Sequence, residues 1–453
     1  MSELLTQSLP VVVVGAGPQG LAAAAHLLER GQVPLVLESG QGPAAAVAQW
    51  SHVRLFSSWP ELVDPASVRL LAPSGWAAPT DGYPTGREWI DGYLAPLAAA
   101  LGDRVRYGTR VVGVSRRGRD RLVSAGRAEQ PFTVHTITDG VESRFDARAV
   151  IDASGTWTQP NPAGADGYRA LGEEAAAGRG ALIYLPPTPE EVSALAGGHV
   201  VVVGSGHSAM TAVVELANLA RVQPQTQLTW VLRRGAVGNT FGGGATDELP
   251  RRGALGQQAR QVVQQGIVEL VTGFRVERVE SLEQTSDRVV LVAEDGRRLA
   301  PADRVLVLTG FRPDLSFLSE MRLELDPIMQ APVRLAPEID PNLHSCGTVS
   351  PHGAAELAHP EPGLYLVGMK SYGRAPTFLA MTGYEQLRSV VAELVGDHEA
   401  AARVELRLPD TGVCGGAGLF DEPAENSGGC CSSPAESGQV PEFVPLAGLL
   451  VRR

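Results

Sequence analysis

The sequence predicts an α/β fold made of two parallel-sheet domains of the same design. The first observation is a run of four valines, Val11–Val14, that leads into a glycine-rich turn and an apolar helix. The second is that this order returns at His199–Ala209. A continuous β-branched run is typical of a strand that helices cover on both faces, as in a parallel sheet. Both copies continue with short β segments and a strand that ends in small residues, so one architecture is expected twice.

The first copy shows the local signals of a strand, a helix and a second strand. Pro18 stands in the first turn of the helix and Gly31 past its end, positions that these residues favour. The second strand, Pro34–Leu37, ends in Glu38. Later strands are expected at Arg110–Ser115, Phe132–Thr138 and Arg148–Ile151, the last closing on Asp152-Ala153-Ser154-Gly155.

The second copy repeats this order. Strand His199–Val203 is followed by a helix to about Ala220 and a strand Gln227–Leu232, which ends in Arg233 and Arg234. Later strands are expected at Phe274–Val279, Arg288–Ala293 and Arg304–Leu308, closing on Thr309-Gly310-Phe311.

The segment after Arg312 has no glycine fingerprint of its own. Its strand Leu364–Val367 and its helix Pro376–Val395 are therefore expected to return to the first domain, so that the second domain is inserted within the first. The predicted division is 1–165 and 313–395 for the first domain, 166–312 for the second, and 396–453 for a flexible tail, much of it rich in Gly, Ser, Pro and Glu.

Composition argues against several classes of function. The 453 residues carry 38 basic and 50 acidic side chains, and a net charge of −12 argues against nucleic acid or an anionic membrane as a partner. No apolar run approaches the roughly 18–20 residues of a membrane span, and the apolar N-terminal run is too short for a signal peptide. Four cysteines, the first at Cys346, do not make a disulfide scaffold and fit a reducing cytosol, so a cytoplasmic protein is expected.

Gly15, Gly17 and Gly20 form the pattern G-x-G-x-x-G in the context that a Rossmann-type dinucleotide site requires. Gly15 permits the tight turn, Gly17 lets the backbone approach a pyrophosphate, and Gly20 allows close packing of helix on strand. The helix N-terminus, with Pro18, offers positive partial charge to phosphate. Glu38 can accept hydrogen bonds from ribose hydroxyls.

The second motif has alanine at its third position, an accepted variant. Its expected NADPH-binding residues are Gly204, Ser205, Gly206, His207, Ser208 and Ala209. Where a ribose acid would stand, Arg233 and Arg234 can pair with a 2′-phosphate, which favours NADP(H) over NAD(H). Two solvated surface arginines are the alternative interpretation.

Two such domains, one inserted in the other, resemble the flavoproteins with two dinucleotide-binding domains, over residues 10–395. The segments 152–157 and 309–314 look like the A-T-G turns of that group, and Gly363–Met369 looks like its flavin-contacting final strand. The resemblance implies FAD in the first domain and NAD(P)H in the second. Beyond the glycine motif and Glu38, it implies FAD contacts at Trp50, His52, Val112, Ala153, Ser154, Gly155, Gly368, Met369 and Thr377, and an NADPH contact at Gly310.

Within that group the chain is more similar to the class B flavin monooxygenases than to the disulfide reductases. It has no C-x-x-C or C-x4-C pair, Met369 stands where reductases usually have Asp, and Gln49–Ser57 is similar to a Trp-rich segment that lies along the flavin in the monooxygenases. The F-x-G-x3-H fingerprint of those enzymes is missing before the second glycine motif. The narrower likeness is to bacterial monooxygenase-like proteins, some encoded with arsenic-resistance genes.

The resemblance implies that NADPH reduces FAD and that O2 then forms a C4a-(hydro)peroxyflavin, which oxygenates a small molecule at a soft heteroatom. Arg54 is the first candidate for a positive charge beside the reacting cofactor, with a salt bridge as the alternative. Lys370, the only lysine, is a second catalytic candidate. For His52 and Trp50, FAD contact or packing is preferred over catalysis, and Thr377 is equally well explained as a helix cap.

Two other functions stay open. The chain could be an NADPH-dependent flavin reductase that passes electrons to a disulfide or metalloid, or a metalloid-binding or redox-sensing flavoprotein. Cys414, Cys430 and Cys431 could present soft thiolates to a metalloid, whereas no metal site is expected elsewhere. Cys346 is expected to be a buried structural residue, with a place in a substrate-facing loop as the alternative. The oligomeric state cannot be derived from the sequence.

Overall fold

A computed structural model describes residues 9–235, 237–242, 249–282, 288–341, 349–376 and 378–406. Its strands are, in chain order, β1 (Val11–Val14), β2 (Pro34–Leu37), β3 (Val105–Arg106), β4 (Thr109–Arg116), β5 (Phe132–Thr138), β6 (Val141–Ala147), β7 (Ala149–Asp152), β8 (Leu182–Ile183), β9 (His199–Val203), β10 (Gln227–Val231), β11 (Glu269–Val271), β12 (Val276–Ser281), β13 (Val289–Ala293), β14 (Arg304–Val307) and β15 (Leu364–Leu366).

The α-helices of the described residues pack around the sheets that these strands form. They are α1 (Pro18–Glu29), α2 (Ala45–Ala48), α3 (Trp59–Leu62), α4 (Pro65–Leu71), α5 (Gly86–Trp89), α6 (Ala95–Leu101), α7 (Glu173–Gly178), α8 (Pro189–Ala194), α9 (His207–Val222), α10 (Pro250–Gln264), α11 (Ala336–Ile339), α12 (Ala354–Leu357), α13 (Ala380–Leu394) and α14 (His398–Ala402). Among them, no helix is long and apolar enough to cross a membrane.

Two parallel sheets, each of five strands, form the centres of the two domains. The first has the order β15-β7-β1-β2-β3 and the second the order β11-β10-β9-β14-β8. The valines of β1 and β9 are at most 6% exposed, because helices and smaller sheets cover both faces of each central strand. This arrangement confirms the predicted α/β fold with two Rossmann-like domains, and the pairing of β15 with β7 returns the last strand to the first sheet.

Antiparallel strands complete the two domains. β4, β5 and β6 form a three-stranded sheet, and β12 and β13 form a two-stranded sheet. The sequence did not predict β6. Its first four residues are exposed and three of them are polar, so that no alternating apolar pattern indicates a strand. The sequence also did not predict β3 and β8, which are only two residues long.

The ordered chain extends past residue 395, where the flexible tail was expected to begin. Helix α14 starts after Asp397, whose side chain accepts a hydrogen bond from the backbone N–H of Ala400. Asp397 also pairs with Arg30 at 2.6 Å, and the Ser389 hydroxyl on α13 donates to the carbonyl of Ala401. The predicted boundary was therefore too early, because a capped turn and long-range contacts hold this segment on the first domain.

A buried charge cluster joins the returning segment to the antiparallel sheet of the first domain. Glu361 is 2% exposed and lies 2.8 Å from the Arg116 guanidinium and 2.7 Å from that of Arg127. The backbone N–H of Arg322 donates to the same carboxylate. Burial raises the pKa of Glu361, but the hydrogen bonds from Arg127 and Arg116 outweigh burial and leave this pKa below its usual value.

Replacing the buried acid should therefore destabilise the protein. For Glu361→Gln we expect the free energy of unfolding, measured by urea titration, to fall by about 3–5 kcal/mol, since two buried guanidinium groups lose their counter-charge. The contribution of Glu361 is present at neutral pH and lost as the pH falls through its lowered folded-state pKa, so the deficit should shrink in acid. Glu280→Gln, at an exposed pair with Arg298, is the control and should shift the midpoint little. Equal losses of unfolding free energy in Glu361→Gln and Glu280→Gln would contradict a stabilising role of the buried cluster.

Candidate functional site

The first glycine motif forms a tight, backbone-lined turn between β1 and α1. Gly15 has φ +96°, and a Cβ added to it would lie 3.1 Å from the carbonyl oxygen of Ala153. A Cβ on Gly20 would lie 1.8 Å from the carbonyl oxygen of Gly15, so only glycine lets the helix approach the strand this closely. A Cβ on Gly17, in contrast, would meet no atom within 4 Å. Open space therefore lies at the N-terminus of a 12-residue helix with Pro18 in its first position and without a side-chain cap.

Glu38 stands at the same edge of the sheet, at the end of β2. It is 7% exposed, and its two carboxylate oxygens accept hydrogen bonds from the backbone N–H groups of Ala16 and Gly40, each at 2.7 Å. These bonds hold the carboxylate beside the glycine turn. Remaining lone pairs can accept from the hydroxyls of a ribose, as the sequence predicted.

The second glycine motif has the same geometry. Gly204 has φ +134°, and a Cβ added to it would lie 2.2 Å from the carbonyl oxygen of Leu308. A Cβ on Gly206 would meet nothing within 4 Å, at the N-terminus of the 16-residue helix α9. Ala209 is fully buried where the helix meets the sheet. The other residues predicted for this site, His207 and Ser208, form the first turn of α9.

The two arginines after β10 take different positions. The Arg234 guanidinium donates to the Ser205 hydroxyl at 3.2 Å, which brings a positive charge to the second glycine turn. Burial, and then the neighbouring charge of Arg233, lower the pKa of Arg234 from its very high ordinary value. Arg233 is more exposed and donates to the carbonyl of Ala165 at 2.9 Å.

Lys370 lies in a buried ion pair at the carboxyl edge of the first sheet. Its Nζ is 2.7 Å from an Asp152 carboxylate oxygen and 2.9 Å from the Ser154 hydroxyl, and both charged side chains are 0% exposed. Ser154 also bonds to Asp152, through its backbone N–H and its hydroxyl. Lys370 thus joins the turn 152–155 to the segment after β15. These contacts give it a positioning role, and its catalytic role stays a prediction.

Gly368 and Met369 begin the 3-10 helix that follows β15. The backbone N–H of Gly368 donates to the Gln386 side-chain oxygen at 2.7 Å, and the Gln386 amide contacts His352 and Ser371. Burial lowers the pKa of His352. Sequence reasoning missed Gln386 and His352, because each acts through a neighbour and neither belongs to a recognisable motif.

Aromatic side chains meet where the two domains are connected. We call Trp50, Trp157 and Phe311 the aromatic row: the ring centroids of Trp50 and Trp157 are 6.4 Å apart, and those of Trp157 and Phe311 are stacked at 4.5 Å. Phe56 meets the His207 ring edge-to-face at 5.2 Å. The predicted Trp-rich segment of the first domain therefore contacts the first turn of the second nucleotide-binding helix.

The remaining predicted residues lie in both domains or outside the described residues. Arg54 is exposed and contacts the Tyr83 carbonyl at 2.5 Å and Glu88 at 3.3 Å. His52 has a buried Nε2 without a hydrogen-bond partner in the described chain, and Val112, on β4, is 40% exposed. Gly155 and Gly310 adopt positive φ in the two connecting turns. The following predicted residues are outside the described residues: Thr377, Cys346, Cys414, Cys430 and Cys431.

The described residues contain no group of three His, Cys, Asp or Glu side chains that could hold a metal ion. They do contain two helices, α1 and α9, whose N-termini have free space beside a glycine at the carboxyl edge of a parallel sheet. Such a site binds the pyrophosphate of a dinucleotide. The fold and the site thus define a protein with two dinucleotide sites.

Comparison with known proteins agrees with this class. The family model of the pyridine nucleotide-disulphide oxidoreductases matches residues 12–334. The bacillithiol disulfide reductase of Bacillus cereus is similar in structure with a TM-score of 0.62, 21% identity, and coverage of 85% of this chain and 99% of that chain. A mutant flavin monooxygenase of Stenotrophomonas maltophilia has a TM-score of 0.56, 21% identity, and coverage of 86% and 98%.

Among curated proteins, the digeranylgeranylglycerophospholipid reductase of Methanococcus aeolicus is 29% identical over 167 residues. This match covers 33% of the chain and spans only 43% of the length of that relative. The comparisons give no support to the expected association with arsenic-resistance genes, and we do not carry it further.

The chain belongs to the pyridine nucleotide-disulphide oxidoreductase family, and its cofactors are FAD and NAD(P)H. The residues present fit both groups. The open space beside Gly17 and the oriented carboxylate of Glu38 suit the pyrophosphate and a ribose of FAD, and the open space beside Gly206 suits the second pyrophosphate.

Substitutions of Gly17 and of Gly206 should impair the binding of two different cofactors. Gly17→Ala should fold, because its Cβ meets no protein atom and its backbone is extended, but the methyl group would occupy the space predicted for a phosphate. We expect purified Gly17→Ala to lose most of its flavin absorbance. Gly206→Ala should keep flavin and raise the KM for the nicotinamide cofactor roughly tenfold or more.

Gly178→Ala serves as the matched control, since its Cβ also meets nothing within 4 Å, but it lies at the exposed C-terminal end of helix α7. It should change neither flavin content nor KM. Full flavin content in Gly17→Ala would show that the pyrophosphate does not lie at this helix.

Proposed function

We propose that the chain is an FAD-dependent monooxygenase that uses NADPH and O2 and oxygenates a small molecule at a soft heteroatom. The observation that carries this proposal is the aromatic row, together with the contact of Phe56 with His207. A monooxygenase must keep water away from its activated oxygen, and an apolar screen between the flavin and nicotinamide domains supplies that condition.

Hydrogen bonds between the two segments that connect the domains support a fixed arrangement of one domain on the other. The two crossing segments pair through the N–H of Asn161 with the carbonyl of Gly310 and through the N–H of Arg312 with the carbonyl of Gln159, both at 2.9 Å. The Trp157 indole N–H also donates to the Gln49 side chain at 3.0 Å. These contacts favour one orientation of the domains.

FAD held at the first glycine turn would supply the redox chemistry with NADPH and O2. The protein residues provide the surroundings. The glycine turns and Glu38 would hold the nucleotides, and the aromatic row would restrict the access of water from the side of the domain connection. Arg54, on the segment that carries Trp50 and Phe56, offers a positive charge that its contact with Glu88 partly neutralises.

Several residues favour NADPH over NADH. Arg234 is anchored by Ser205 at the second glycine turn, and Arg233 lies beside it. A guanidinium in this place pairs with the 2′-phosphate that only NADPH carries.

Removal of Arg234 should therefore change cofactor preference. For Arg234→Ala we expect kcat/KM for NADPH to fall roughly ten- to hundredfold, the value of a charge-assisted hydrogen bond, while kcat/KM for NADH stays nearly constant. Arg221→Ala removes an exposed arginine that contacts Asn218 and Gln265, and it is the control. Native protein that uses NADH as well as NADPH would refute the preference.

Rapid mixing of NADPH-reduced protein with O2 tests the oxygenase reaction. We expect a transient absorbance that differs from both oxidised and reduced flavin, followed by slow release of H2O2 when no substrate is present. Direct return to oxidised flavin, together with electron transfer to disulfides, would instead identify a reductase. Failure of NADPH to reduce the flavin would leave a binding or sensing role.

The aromatic row supplies a variant for the same experiment. Trp157→Ala should shorten the life of the transient and speed H2O2 release, roughly tenfold for each 1.4 kcal/mol of lost protection. Trp76→Ala removes an indole whose ring contact among the described residues is with Tyr93 and not with the row, and it should leave the lifetime as in the native protein. Identical lifetimes in native protein and Trp157→Ala would remove the main support for the proposal.

A further inference from the structure

Gln19 occupies a slot built from glycines beside the first nucleotide site. It is the second residue of α1, directly after Pro18, and is 8% exposed. A Cβ on Gly368 would lie 2.8 Å from Gln19 Cγ, and one on Gly383 would lie 2.4 Å from Gln19 Cδ. The side chain is thus held between the end of the last strand, β15, and the first turn of α13.

One half of the Gln19 amide is satisfied by the protein and the other is not. Its Nε2 donates to the backbone carbonyl of Ala380 at 3.1 Å. A carbonyl only accepts, so this bond fixes which end of the amide is nitrogen. The buried Oε1 has no hydrogen-bond partner among the residues that the structure describes. An unsatisfied buried acceptor costs about 1–3 kcal/mol, which a bound donor would relieve.

The position of Gln19 limits which group of a bound FAD can donate a hydrogen bond to Oε1. The side chain lies between the helix N-terminus that receives the FAD pyrophosphate and the N-terminal turn of α13, at the carboxyl edge of the first sheet, where ligands bind in such folds. The ionised pyrophosphate has only acceptors. The ribityl chain is joined to the pyrophosphate and carries hydroxyl groups, which donate.

We propose that Gln19 Oε1 accepts a hydrogen bond from a ribityl hydroxyl of FAD. Gln19 is then a cofactor-binding residue that also ties α13 to α1 through Ala380. The ribityl hydroxyls are the favoured donors, because they adjoin the pyrophosphate, whereas the adenine-ribose hydroxyls are assigned to Glu38 and the flavin N3–H lies on the side of the ring system remote from the ribityl chain. This assignment depends on the FAD site alone and is independent of oxygenation.

The test uses FAD and synthetic FAD analogues in which each ribityl hydroxyl in turn is replaced by hydrogen. Dissociation constants are measured on flavin-free protein by the change in flavin fluorescence. For native protein we expect about tenfold weaker binding of one analogue, as for the loss of one hydrogen bond to a buried acceptor. Gln19→Leu should bind FAD about tenfold more weakly and should not distinguish that analogue from FAD.

Gln32→Leu is the control. Gln32 is also a glutamine of the first domain, but it lies past the C-terminal end of α1, and its oxygen already accepts from the Arg148 guanidinium. Its replacement should therefore preserve the ratio of the two dissociation constants.

Either of two results would overturn the proposal. One is native protein that binds every analogue as tightly as FAD. The other is Gln19→Leu that still discriminates as the native protein does, which would reduce Gln19 to a packing residue. If Gln19→Leu does not fold, the native measurements decide alone.

Discussion

The structure depends on the buried charges that hold the returning segment on the first sheet. The chain leaves this sheet at Asp152 and re-enters it at Leu364, with the second domain between. β15 is only three residues long, so its backbone pairing with β7 is limited. Lys370 pairs with Asp152, and Glu361 pairs with two arginines, all out of contact with water. Each buried ion loses several kcal/mol of hydration, so such pairs persist only with close, well-bonded partners.

These contacts set the carboxyl edge of the sheet on which the nucleotide site is built. Asp152 fixes Ser154, and the same turn lies against Gly15, where a side chain would collide with Ala153. From the other side, Gly368 and Gly383 enclose Gln19 at the start of α1. The open space for phosphate is thus the part of a densely packed edge that no side chain fills. A substitution in the returning segment is therefore expected to weaken cofactor binding, even where the substituted residue does not contact the cofactor.

The fold by itself does not choose the reaction, since disulfide reductases and monooxygenases share it. The choice depends on what surrounds the flavin and the nicotinamide. In this chain Trp50, Trp157 and Phe311 meet at the connection between the domains, and Phe56 contacts His207 of the second domain. An apolar boundary of this kind suits chemistry that water would quench, whereas exchange with an external disulfide needs access for a thiol.

The sequence by itself determined the fold with two Rossmann-like domains, the strand and helix positions around each glycine motif, and the two cofactors, because these depend on short-range patterns and on backbone that glycine alone permits. Tertiary structure decided the rest. Lys370 could be singled out as the only lysine, but its partner Asp152 is brought to it by β-sheet pairing over a long stretch of chain. Gln19 was an unmarked position inside a motif, and only the approach of Gly368 and Gly383 shows that its oxygen is buried without a donor in the described chain. Such roles arise from contacts between residues far apart in sequence, which no local pattern records.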